Sequence, residues 1–136
     1  MKPLIHHTAL AVKDISEARA FYLETLGCRE RADTSGENFS VIDFFGSQLV
    51  LIEAPEQVDP SHDDPETEPY KHFGIIMDWQ DWHDLVDDLK AKNVTFKIEP
   101  NIKDHEGIGK VGNLFLADPS GNFVEFKSYH DRSMVL

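Results

Sequence analysis

Two histidines and a glutamate are the residues whose types and spacing could do chemistry together: His7 opens the run "HTALAV", His72 opens "HFGIIM", and Glu125 sits in the middle of "FVEFKSY". If these runs are strands, every second side chain shares a face. Beyond each histidine the second place on that face is small, Ala9 in one run and Gly74 in the other, which leaves open space beside the imidazole. In the last run Phe123, Glu125, Lys127 and Tyr129 share one face and Val124, Phe126 and Ser128 the other. A carboxylate in mid-strand costs several kcal/mol unless it is paired, hydrogen-bonded or bound to a cation. Something must neutralise Glu125. His6 is one residue out of phase with His7 and faces the other way, as a solvated or hydrogen-bonded histidine would.

The elements that carry these residues repeat. Residues 5–12 are apolar and β-branched, and Asp14 with Glu17 three positions later makes a capping box. Ile15, Ala18, Phe21, Tyr22 and Leu26 recur at helical spacing and Gly27 offers a left-handed stop, so a helix is predicted over 15–26. "CRERAD", "NFSVIDFF" and "QLVLIEAP" follow as hairpin-spaced strands. The second half begins again: "YKHFGIIMD" reads as a strand, and Asp78 caps a helix with Trp79, Trp82, Leu85, Val86 and Leu89 on its apolar face. Asn93 ends it, and "VTFKIEP", "KVGNLFLAD" and "FVEFKSY" are predicted strands with "DPSG" as a type I turn. Both halves are β-α-β-β-β, and superimposing their first strands puts His7 on His72. The expected fold is α+β, one 136-residue domain with module one over about 4–55 and module two over about 70–130. Between them, residues 56–69 are acidic and aperiodic; with prolines at 55, 60, 65 and 69 they read as a linker or a mobile cover.

Composition removes several classes of function. A formal net charge of −12 leaves nothing to offset repulsion from a phosphate backbone or an anionic membrane, so nucleic acid and membrane are not expected partners. No run reaches the length of a membrane span, and Met1 onward lacks the apolar core of a signal peptide. Cys28 is the single cysteine, which fits a reducing, cytoplasmic setting.

"HTALAVKDISEARAFYLETLG" and "LFLADPSGNFVEF" resemble the opening strand and helix and the closing hairpin of the vicinal oxygen chelate superfamily. That group includes glyoxalase I, methylmalonyl-CoA epimerase, fosfomycin- and bleomycin-resistance proteins and extradiol dioxygenases. The resemblance spans about residues 4–130, and its closing DPxGNxxE pattern is the more specific part. It implies paired modules forming a cupped sheet around a divalent metal, with His7, His72 and Glu125 matching three ligand positions. It also implies a small-molecule substrate and a homodimer that covers the module edges.

The chain departs from the glyoxalase and epimerase branches at their fourth ligand, a Glu or Gln in the last strand of module one. In "GSQLVLIEAP" that place falls on Val50 or Leu51, both apolar, with Gln48 and Glu53 flanking it; a bulge would be needed to turn either inward. The missing carboxylate is the base for proton removal beside a carbonyl. Two histidines, one carboxylate and open positions form instead the facial triad of non-haem Fe(II) oxygenases, and Zn, Mn or Ni also suit such ligands. Ring-cleaving relatives usually carry a tyrosine where this chain has Phe115. Phe115, Lys127 and Tyr129 are the candidate substrate contacts, and His105 in "NIKDHEGIGK" is a loop histidine with a possible acid-base role. His83 lies between acidic helix residues, and the Trp79/Trp82 pair reads as core. The expectation is a metal-dependent, dioxygenase-like enzyme. The alternatives are a glyoxalase- or epimerase-type lyase or isomerase, and a metal-free antibiotic-binding protein.

Overall fold

The computed structural model describes residues 1–58 and 71–136. The predicted cover over 56–69 therefore lies almost wholly outside the described residues; its described start, Pro55–Gln57, is one short 3-10 turn. The fold is α+β, built on two four-stranded mixed sheets. By contact the chain forms two units, Met1–Ser61 with Asp118–Asn122, and His62–Ala117 with Phe123–Leu136.

In the first unit, β1 (His7–Val12) leads through helix α1 (Ile15–Arg19) to β2 (Arg29–Glu30), β3 (Phe39–Phe44) and β4 (Ser47–Glu53), in the sheet order β1-β4-β3-β2. β1 and β4 are parallel, an arrangement that needs a crossover, and α1 supplies it. Asp14 caps α1 as predicted, its Oδ1 accepting from the Glu17 N–H at 2.9 Å. The predicted helix over 15–26 is α-helical only to Arg19. Ala20–Thr25 is a π-helical continuation in which the Leu26 N–H reaches back five residues to Phe21 O at 3.0 Å. Gly27, with φ +74°, makes the left-handed stop. β3 and β4 are joined by Phe45 and Gly46, both at positive φ, which is the twist a two-residue hairpin turn requires. Alternation then sorts the strands. Ile42, Phe44, Leu49 and Leu51 are buried, as are Ile15, Ala18 and Tyr22, while His7, Gln48, Val50, Phe39 and Val41 occupy the other, more open face.

The second unit repeats the plan, with β5 (His72–Met77), helix α2 (Trp79–Ala91), β6 (Ile98–His105), β7 (Gly109–Ala117) and β8 (Phe123–Tyr129) in the order β5-β8-β7-β6. Trp82, Val86 and Leu89 of α2 are buried, and so are Leu114, Leu116, Val124 and Phe126 of the sheet. The Trp82 indole N–H donates to Phe126 O at 2.9 Å, which satisfies the polar edge of a buried ring. Asp78 stands at the helix start but does not cap it through its side chain; its carboxylate pairs with Arg132 at 3.1 Å. The segment predicted as a loop around His105 is instead a hairpin, with His105 the last residue of β6 paired with Gly109. Residues 102–108 are exposed, Ile102 and Ile108 included, so sequence alternation had no buried side to reveal.

Candidate metal centre

In the second unit, β5 and β8 run parallel with His72 opposite Phe123 and Gly74 opposite Glu125. The diagonal between the rows brings His72 Nε2 to 2.9 Å from Glu125 Oε2, and the Glu125 side chain is only 13% exposed. The mid-strand carboxylate thus meets an imidazole, as its burial demands. Gly74 permits the closeness, because a Cβ there would overlap the Glu125 backbone carbonyl. Phe115, fully buried on β7 directly opposite Glu125, sets its ring edge-on to His72 with centroids 4.9 Å apart. Lys127 and Tyr129 continue along the same face of β8, the Lys127 ammonium lying 5.2 Å from the Tyr129 ring centroid.

In the first unit His7 is register partner to Gln48 on β4, and its Nδ1 lies 2.8 Å from Gln48 Oε1. An amide oxygen only accepts, so Nδ1–H of His7 is the donor in this pair and Nε2 is the ring nitrogen left for another partner. Ligand histidines are held in this way by an outer acceptor. Sequence inspection weighed Gln48 only as a ligand turned inward by a bulge. The β1/β4 pairing runs without a register shift, and Gln48 acts on the histidine instead.

The register also decides between Val50 and Leu51. Ala9 opposite Val50 is the counterpart of Gly74 opposite Glu125, so Val50 holds the fourth place, while Leu51 is fully buried on the opposite face. Glu53 belongs to Leu51's face. Its Oε2 accepts from the Ile15 N–H at 2.9 Å, a carboxylate on the first amide of α1.

The closing turn carries more than the turn chemistry read from "DPSG". Asp118 is buried and accepts from the Tyr22 hydroxyl at 2.8 Å and from the Ser120 and Asn122 N–H groups at 2.9 Å each. Asn122 Nδ2 donates to Ala11 O at 3.1 Å and the Lys13 N–H to Ser120 Oγ at 2.7 Å, which fixes the strand that begins with His7. Burial and the neighbouring Asp118 charge push the Tyr22 phenol well above its ordinary range. Burial, then Asp43, push the Cys28 thiol up to about 11, so it is a poor nucleophile at neutral pH. His83 and His130 both stand edge-on to Trp79, each at 5.1 Å, in an aromatic cluster apart from the β8 face.

The residue types are ones a divalent ion takes: a half-buried carboxylate beside an imidazole in the second unit, and in the first an imidazole held through Nδ1 by an amide oxygen. Among the described residues, no three His, Cys, Asp or Glu side chains are arranged to hold a metal ion. His72 and Glu125 come from one unit and His7 from the other.

Residues 4–126 match the family described as the Glyoxalase/Bleomycin resistance protein/Dioxygenase superfamily. No curated protein matches the chain. Among solved structures, a glyoxalase/bleomycin resistance protein/dioxygenase from Alicyclobacillus acidocaldarius is 29% identical with a TM-score of 0.80, the match covering 97% of this chain and 96% of that one. The fold is shared with a lactoylglutathione lyase from Agrobacterium tumefaciens, at 19% identity, TM-score 0.64 and 91% and 92% coverage. A genomically encoded fosfomycin resistance protein from Listeria monocytogenes shares it at 17% identity, TM-score 0.66 and 99% and 100% coverage. With a family match over nearly its whole length and the paired β-α-β-β-β modules in place, the chain belongs to the glyoxalase/bleomycin resistance protein/dioxygenase superfamily, the vicinal oxygen chelate group.

Proposed function

We propose that the protein is a metal-dependent enzyme in which His7, His72 and Glu125 hold one divalent ion, Fe(II) by preference, and a small substrate chelates it through two adjacent oxygens in a dioxygenase-type reaction. The observation that carries this reading is the register. The place of Glu125 in the second unit is taken by Val50 in the first, so the protein contributes a three-residue ligand set. An octahedral ion so held has room for a bidentate substrate and dioxygen. Bound there, iron would supply Lewis acidity toward the chelated oxygens and the electrons for oxygen chemistry. Gln48 keeps His7 in its ligand tautomer, Phe115 backs His72 with an apolar wall, and Lys127 and Tyr129 meet the substrate beyond Glu125.

A glyoxalase- or epimerase-type proton transfer needs a carboxylate base at the fourth place. Val50 offers none, and Glu53 is committed to the start of α1. A metal-free binding protein has no need of the His72–Glu125 pair or of an oriented His7. We place the enzyme in the cytoplasm as a homodimer, in keeping with its single cysteine and its resemblance to short members of the group.

The test is oxygen uptake by anaerobically iron-loaded protein across a panel of catechols and other vicinal diols, neutral and acidic. Uptake should appear in the wild type and be suppressed in Val50→Glu, which fills one open position while tightening metal binding. If no uptake occurs but a zinc- or nickel-loaded form isomerises hemithioacetals or epimerises thioesters, the chemistry is proton transfer and the proposal fails.

A further inference from the structure

Beside the row that holds Glu125 and Phe115 runs a second row of a different character. Lys127 on β8 is paired with Asn113 on β7, and Asn113 with Asn101 on β6. All three are half-buried on the face that carries Glu125. Asn101 reaches this row through an irregularity in β6. Ile98 opposes Phe115 and Asn101 opposes Asn113, so three steps on β6 match two on β7, and Glu99 and Pro100 are taken up as a bulge. A proline suits a bulge because it has no ladder N–H to offer, and bulges of this kind re-aim side chains near sites. In an unbroken ladder Pro100 would face Asn113. The bulge replaces an apolar ring with an amide.

The row gathers an ammonium and two carboxamides. Lys127 makes no ion pair among the described residues; its ammonium lies over the Tyr129 ring, 5.2 Å from the centroid. Asn101 Nδ2 gives one of its hydrogens to Glu99 O at 2.9 Å and has a second to donate. In a chain of net charge −12, a half-buried lysine beside amide donors is where an anion can be accepted against the overall field. Lys127 follows Glu125 by two residues, about 7 Å along the strand.

Resting on the metal-chelate reading above, we propose that the substrate carries an anionic oxygen group in addition to its two chelating oxygens. Lys127 binds that group, and Asn113 and Asn101 assist. The substrate class is an acidic vicinal-oxygen compound rather than a neutral diol or catechol. The competing explanation is that Lys127 simply lays its aliphatic stem on Tyr129 and keeps its charge in water.

The experiment titrates zinc-loaded protein calorimetrically with a matched pair, catechol and 3,4-dihydroxybenzoate, which share their chelating oxygens and differ by one carboxylate. The carboxylate should tighten binding about tenfold, the scale of one charge-assisted hydrogen bond. Lys127→Met should close the gap between the two ligands and Lys127→Arg should keep it. Equal affinities in the wild type, or a gap that survives in Lys127→Met, would overturn the inference while leaving the metal site standing. If neither ligand binds the zinc-loaded wild type, the metal-chelate reading fails and takes this inference with it.

Discussion

Gln48 shows how much one side chain changes the meaning of its neighbour. His7 alone is an exposed histidine at the start of a strand; with Gln48 Oε1 at 2.8 Å it is a histidine whose ring is held through Nδ1. Outer partners of this kind commonly govern metal affinity about 10–100-fold. Gln48→Leu should therefore weaken zinc binding within that range with little change in folding, because Gln48 is exposed and its backbone pairing is untouched. Gln48→Glu, which restores an acceptor, should recover most of it. Equilibrium dialysis of the two variants checks this, and unchanged affinity in Gln48→Leu would mean that His7 is not a ligand. Gly74 works at the same scale on the other side of the site, since it lets β5 approach β8 closely enough for His72 to touch Glu125.

At the scale of elements, the turn Asp118–Asn122 belongs by contact to the first unit, although its strands β7 and β8 belong to the second. Asp118 gathers the Tyr22 hydroxyl and two backbone amides, so Asp118→Ala would orphan several buried donors at once. The expected cost is about 3 kcal/mol or more in urea unfolding, against about 1 kcal/mol for Tyr22→Phe, which removes one hydrogen bond. Similar losses for the two variants would mean that the turn is held by something other than this network. The turn itself was legible from "DPSG", and so was the duplicated β-α-β-β-β order, because the helices carry apolar residues at helical spacing, Asp14 caps the first of them, and the buried strands are apolar. The network was not, since it joins Tyr22 to a residue 96 positions away and no local pattern encodes that distance. For the same reason the π-helical end of the first helix, the outward hairpin ending in His105 and the partnership of Gln48 with His7 emerge only with the tertiary structure. The face of Glu125 was readable from period-two alternation, whereas the choice between Val50 and Leu51 needed the register of β4 against β1.

At the scale of the molecule, duplication places a histidine at the head of the first strand of each unit. The two units differ on the last strand of each, where Val50 stands opposite Ala9 and Glu125 opposite Gly74. Among the described residues no helix is long and apolar enough to cross a membrane. The central proposal is that His7, His72 and Glu125 serve one ion. It is tested most directly by the stoichiometry and affinity of divalent metal binding in the wild type, His7→Ala, Glu125→Ala and the double variant. The wild type should bind one ion per chain, each single variant should lose tight binding, and the double variant should be no worse than either alone. Tight binding that survives His7→Ala but not Glu125→Ala, or losses that simply add in the double variant, would contradict a shared centre.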